Sequence, residues 1–182
     1  MKKFNLIKIF SIFIIFFLST KPLLSAESTD PIKVKWSFKG ITGKFERDSL
    51  QRGFQVYKEV CSSCHSMQYL SYRNLGEQGG PEFTAEEVKA IAASFEVEDG
   101  PDSQGEMFIR PGRPSDKFVS PYPNVNASKA ANGGAYPPDM SLLVKARPGG
   151  SNYIYSVLVG YEEKPEGFIL DDGVYYNKYM IG

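Results

Sequence analysis

The sequence predicts a mostly helical domain with a large irregular fraction, on three observations. Apolar residues recur three and four apart over residues 47–65 and again over 154–161, as amphipathic helices require. A helix-start pattern stands at Thr84. Residues 96–138 hold seven of the twelve prolines and five glycines, which interrupt any periodicity.

Taken in chain order, the first segment is a leader. Lys2, Lys3 and Lys8 precede an apolar run from position 9 to position 18 broken only by Ser11, and Leu24-Ser25-Ala26 offers a cleavage site before Glu27. The run is about half of the roughly 20 apolar residues that span a bilayer, so residues 1–26 are expected to be a signal peptide and 27–182 the mature domain. Cleavage removes four lysines and no acid, leaving 17 basic residues against 21 acidic. A net charge of about −4 argues against a nucleic-acid partner.

Residues 27–45 read as an extended lead-in, with Trp36 and Phe38 alternating in a short strand-like stretch. Between 47 and 65, Leu50, Phe54, Tyr57, Val60, Cys61 and Cys64 form the apolar stripe of a helix with both cysteines at its C-terminal end. Thr84 and Glu87 make a capping box, Phe83 and Val88 a hydrophobic staple, and the helix they open should reach about Ser94.

The stretch 96–138 is expected to lack regular structure, yet Met107, Phe108, Phe118, Tyr122 and Tyr136 make it too apolar for disorder. A long ordered loop needs a reason, such as wrapping a ligand. Two short helices should follow, over 139–146 and around Ile154, Val157, Leu158 and Tyr161, separated by Gly149-Gly150. A minor β hairpin near the C-terminus is expected, with 168–170 and 174–176 flanking an Asp172-Gly173 turn.

The chemistry sits in Cys61-Ser62-Ser63-Cys64-His65, the C-x-x-C-H pattern of covalent haem attachment. Two thiols three positions apart can each bond one vinyl group of a porphyrin, and the adjoining imidazole then lies beneath the iron, for which it is a good axial ligand. Both cysteines and the chain's only histidine fall within these five residues, leaving none for a rival site. The alternative is an exported thiol–disulfide oxidoreductase using Cys61 and Cys64 without haem, although such motifs open a helix rather than close one. A zinc site has only three of its ligands here.

Further segments carry a family resemblance. They run Arg52-Gly53-Phe54-Gln55-Val56-Tyr57, Val60-Cys61-Ser62-Ser63-Cys64-His65-Ser66-Met67, Tyr72-Arg73, Asp99-Gly100-Pro101, Gly105-Glu106-Met107-Phe108, Arg110-Pro111-Gly112, Pro121-Tyr122-Pro123-Asn124, Asn132-Gly133-Gly134-Ala135, Pro137-Pro138-Asp139 and Gly173-Val174-Tyr175-Tyr176-Asn177. In this order the chain resembles the cytochrome c1 family, the haem subunits of the ubiquinol–cytochrome c oxidoreductase (bc1) complex, from about Trp36 to its last residue.

The resemblance implies a cytochrome c-like haem domain with one covalently bound haem c, short helices and long loops. It implies an electron-carrying subunit rather than an enzyme on its own, taking electrons from a Rieske iron–sulfur protein and passing them to a soluble or anchored c-type cytochrome, beside cytochrome b on the periplasmic side of a bacterial inner membrane. It also implies that Asn132, Ala135, Pro137 and Pro138 line the haem and that Arg147 and Tyr153 reach its propionates. From the residues alone, Arg147 reads equally as a solvated helix-end arginine and Tyr153 as a packing residue, while Pro137-Pro138 could simply start a helix.

The family's methionine ligand and C-terminal membrane helix would follow the end of this sequence, so truncation is expected and the sixth ligand is unassigned. Met180 comes several residues too early, and a terminal residue positions a ligand poorly. Met67 belongs to the histidine side, and Met107 and Met140 read as core methionines. Finally, residues 82–106 carry eight acids against Lys89, which would either steer a basic partner or form an ordinary solvated face.

Overall fold

The computed structural model describes residues 29–180, so the expected signal peptide lies outside the described residues. The described residues fall into two compact units, Pro31–Val159 and a second made of 29–30 with 160–180. Short helices, two paired strands and long loops make this a mostly α, cytochrome c-like architecture. Among the described residues no helix is long and apolar enough to cross a membrane.

In the larger unit, helix α1 spans Arg47–Glu59, with Asp48 in its first turn and Lys58 in its last, each complementing the helix dipole. Leu50, Phe54 and Tyr57 are half-buried on one face, whereas Val60, expected on the same stripe, is exposed. The α-helix stops six residues short of the predicted end, and a 3-10 turn carries Cys61–Ser63 instead. Serine chemistry accounts for the early stop. Ser62 Oγ donates to the Lys58 carbonyl at 2.8 Å and Ser63 Oγ to the Val60 carbonyl at 2.7 Å, satisfying acceptors that a helix end leaves open.

Helix α2, Ala85–Ala93, begins as the sequence predicts. Thr84 Oγ1 accepts from the Glu87 amide and the Glu87 carboxylate accepts from the Thr84 amide. Its buried Val88 and Ala92 meet Tyr72 and Leu75, from a 3-10 helix at Tyr72–Gly76, and Phe118. Tyr72 is 1% exposed, and its ring stacks on Phe118 at 4.9 Å and tilts against Phe95 at 5.2 Å. Phe118 also reaches Phe54 and Tyr57, so one aromatic cluster ties α1 to α2.

The expectation of no regular structure over 96–138 is corrected twice. Strands β1, Glu96–Asp99, and β2, Phe108–Pro111, pair antiparallel, with Val97 opposite Arg110. The acidic, loop-like composition of β1 conceals a cross-strand ion pair from Arg110 to Asp99, and the same guanidinium grips Asp116 through two bonds of 2.6 and 3.0 Å. Just past β2, a Cβ on Gly112 would lie 2.5 Å from the Ala92 carbonyl, so only glycine lets this hairpin sit against the end of α2. Helix α3, Val125–Ala131, is the second correction. Asn124 caps it by accepting from the Ala127 amide at 2.9 Å. Met107, expected in the core, is 54% exposed at the start of β2.

Hydrogen bonds from the Arg110 guanidinium hold the Asp116 carboxyl well below the usual carboxylate range, at about 2. A carboxyl depressed in the folded state contributes its stability fully above its unfolded value, about 3.9, and loses it as pH falls through about 2. Urea midpoints measured from pH 5 to pH 2 should therefore fall less steeply for Asp116→Asn than for the parent chain. Equal slopes would show that the pair does not couple folding to protonation.

The remaining helices are α4, Leu143–Ala146, and α5, Ser151–Val159, with Gly149-Gly150 between them. The first is shorter than expected, because Asp139 to Ser141 bond to residues 66–69 in the site described below. The lead-in forms no strand but is tethered to α5. Ile32 donates its amide to Ser156 Oγ at 2.7 Å, and the Asn152 amide oxygen accepts from both the Val34 amide and Trp36 Nε1.

In the other unit the predicted C-terminal hairpin is also corrected. The Asp172-Gly173 turn forms, with the Val174 amide donating to the Asp171 carbonyl, but its arms do not pair. Instead Tyr161 bridges Asn177, and Lys178 is ion-paired with Glu162 at 2.8 Å. The Tyr176 carbonyl, on one expected arm, instead accepts the Glu162 amide at 3.3 Å. The chain's one two-stranded sheet among the described residues is β1–β2.

Candidate functional site

The C-x-x-C-H segment emerges from α1 as a tight turn whose bonds fix all three chemical groups. The Cys64 and His65 amides both donate to the Cys61 carbonyl, at 3.2 and 2.8 Å. This winding sets the two half-buried, free thiols and the imidazole on consecutive steps of one turn. Tyr57, about two turns back along the chain, donates its hydroxyl to the His65 carbonyl at 3.3 Å. Burial, and then the neighbouring Tyr72, Asp139 and Cys61, push that phenol up to about 12, so it stays a donor over the working pH range.

The ring of His65 is held from the far side of the sequence. Its Nδ1 lies 2.8 Å from the Pro138 carbonyl oxygen. A carbonyl can only accept, so the proton sits on Nδ1. In the neutral ring Nε2 is then left with a free lone pair, which is the state a metal-binding imidazole needs.

Beside Cys64 opens a cleft of about 180 Å³ in which Pro121, Pro123, Val125, Tyr136 and Pro137 stand among the polar Ser66, Gln68, Ser120, Asn124 and Ser128. Prolines that stiffen a wall beside a thiol suit the edge of a flat macrocycle, and two free thiols with an imidazole bearing an Nε2 lone pair are the donor set a covalently held haem needs. The residues present therefore fit a haem.

The predicted lining residues divide. Pro137 is in the cleft wall and the Pro138 carbonyl meets His65. Asn132 caps the C-terminus of α3, donating its side chain to the Ser128 carbonyl at 2.7 Å, and accepts the Ala135 amide on its own carbonyl. Arg147 is exposed after α4, and Tyr153 is half-buried on α5. Among the described residues the cleft wall does not include Asn132, Ala135, Arg147 or Tyr153. Met67 packs against the core cluster, and Met180, 51% exposed, belongs to the other unit.

Sequence reasoning missed Asp139. Its Oδ2 accepts from Ser66 Oγ at 2.7 Å and from the Gln68 amide at 2.9 Å, while Oδ1 accepts from the Ser141 amide at 2.9 Å. Partial burial alone would raise this carboxyl, but the donors outweigh it and hold it below its ordinary value. The clue was Asp139-Met140-Ser141, an Asx-turn pattern after two prolines. Nothing local showed that Ser66 and Gln68 would share it.

A mostly helical cytochrome c-like domain is thus the class to which fold and site both point. The sequence model described as Cytochrome C1 family matches residues 36–182. The chain is 52% identical over 147 residues to a potato protein named cytochrome c1-2, heme protein, mitochondrial, covering 81% of this chain and 55% of that one. It is 54% identical over 135 residues to cytochrome c1 of Rhodospirillum rubrum, covering 74% and 48%, and 47% identical over 153 residues to the cytochrome b-c1 complex catalytic subunit, mitochondrial, of Candida albicans, covering 84% and 52%. This chain belongs to the cytochrome c1 family, and with that membership comes a haem cofactor. It spans about half the length of these relatives.

Proposed function

We propose that this chain is an electron-transfer haem subunit of a ubiquinol–cytochrome c reductase complex. One haem c is bound through thioethers to Cys61 and Cys64, with His65 Nε2 on the iron. The single observation that supports this most is the His65 ring fixed by Pro138 with Nε2 free, one residue from a thiol that opens on a proline-walled cleft.

The haem, when bound, supplies a one-electron couple at the iron. The protein's part is to hold it rigidly, exclude water and set the ligand field. Pro121, Pro123, Val125, Tyr136 and Pro137 supply the apolar part of the wall against which the ring would lie. Asn132 and Ala135 shape the loop that leads into that wall, and Arg147 with Tyr153 serve the propionates, a pairing suited to the bidentate guanidinium. Electrons arrive from a Rieske iron–sulfur protein and leave to a c-type cytochrome, with cytochrome b as the membrane neighbour. Residues 1–26 direct the chain to the periplasmic side of a bacterial inner membrane. The name of the Candida albicans relative as a b-c1 complex subunit supports the assembly.

Against a cofactor-free thiol–disulfide oxidoreductase, Cys61 follows the C-terminus of α1 and starts a single 3-10 turn rather than opening an α-helix. A pyridine haemochrome spectrum of the chain, produced with haem-attachment machinery and extracted with acid acetone, decides the matter. One haem per chain should resist extraction. Colourless protein with Cys61 bonded to Cys64 would overturn the proposal.

A further inference from the structure

Five hydrogen bonds join residues 65–69 to residues 138–141, more than 70 positions later. Besides His65 to Pro138, Ser66 Oγ and the Gln68 amide reach the Asp139 carboxylate, the Met140 amide reaches the Ser66 carbonyl at 2.8 Å, and the Tyr69 amide reaches Ser141 Oγ at 3.2 Å. Both oxygens of Asp139 are engaged, two of its three donors being backbone amides that cannot turn away.

The peptide unit between Pro138 and Asp139 is planar, so the Pro138 carbonyl and the Asp139 Cα move as one body. Pro138 has a fixed φ and no amide of its own to anchor it. The direction of its carbonyl is therefore set chiefly by whatever holds Asp139.

We propose that Asp139 is the positioning residue for His65, anchoring the 138–139 peptide plane so that the Pro138 carbonyl fixes the tautomer, orientation and donor strength of the imidazole. It rests on the haem reading above and deepens it, since a carboxylate that reaches the imidazole through a carbonyl sets how strongly Nε2 donates to the iron. A firm bond from Nδ1–H to a carbonyl makes the imidazole more electron-rich and favours the oxidised metal. Loosening the anchor weakens that bond and the preference for the oxidised state with it, so the reduction potential rises.

The test uses the full haem-bearing chain and the variants Asp139→Ala, Asp139→Asn and Ser66→Ala. For Asp139→Ala the His65 Nδ1 proton should exchange with solvent at least about tenfold faster, and the reduction equilibrium constant should increase up to about tenfold, which is about 59 mV for one electron. Asp139→Asn keeps one acceptor oxygen and Ser66→Ala removes one donor of three, so both should shift in the same direction by less. A loss of thermal stability with proton exchange and potential unchanged in Asp139→Ala would overturn the proposal. Should that variant not fold, unchanged exchange and potential in both milder variants would do the same. Failure of the haem reading is distinguishable, because the unsubstituted chain would then lack a haemochrome spectrum.

Discussion

Replacing Cys61 and Cys64 together with alanine should reduce covalent haem from one per chain to none detectable. Each thiol is proposed to add across one vinyl group, so without sulfur there is nothing to survive denaturation. The local winding does not depend on the thiols. The Cys61 carbonyl accepts from the Cys64 and His65 amides, and His65 meets Pro138, through groups that both substitutions leave in place. Any haem retained by the imidazole and the cleft beside Cys64 would be lost on a denaturing gel, where a haem stain reads the outcome directly. Single variants should keep one thioether and a red-shifted haemochrome band. Undiminished staining of the double variant would sink the attachment proposed here.

Tyr72→Ala carries the largest expected effect on folding. The ring is almost fully buried between Phe118 and Phe95, and Phe118 in turn contacts the α1 residues Phe54 and Tyr57. Truncating a large buried ring loses its transfer free energy and leaves a cavity, together about 3–5 kcal/mol. This loss falls at the junction that holds the haem-motif helix against α2. Tyr72→Phe keeps the ring and gives up only the hydroxyl that accepts from the Val119 amide at 3.4 Å, a change of about 1 kcal/mol. Urea unfolding of both variants, with the slope against denaturant unchanged, checks the pair. A loss below about 1 kcal/mol in Tyr72→Ala would mean that the aromatic cluster is not what joins the two helices.

Features that arise from chemistry within a few residues are legible in the sequence. The Thr84–Glu87 box fixes the start of α2 through bonds spanning three positions, and Gly149-Gly150 divides α4 from α5. The stripe of Leu50, Phe54 and Tyr57 places one face of α1 inward, although the periodicity runs on past the point where Ser62 and Ser63 capture its last carbonyls. Two elements within 96–138 are hidden for different reasons. Strand β1 is acidic and depends on Arg110, eleven residues beyond Asp99, for the charge that makes it tolerable. Helix α3 is a single capped stretch among prolines, too short for its period to stand out.

The reactive groups are legible from residue order alone: two cysteines and the only histidine within five residues, placed at a helix end by an apolar stripe. How the histidine is held follows from long-range packing. Pro138 contributes a backbone carbonyl, a group every residue possesses, so no residue type at that position could announce the contact. Asp139 takes two of its donors from residues more than 70 positions away, brought within 3 Å by the packing of the whole unit. Spacing along a chain dictates which groups can share a turn. Which distant backbone atom meets them follows from how the burial of Tyr72, Phe118 and their neighbours closes the loops between.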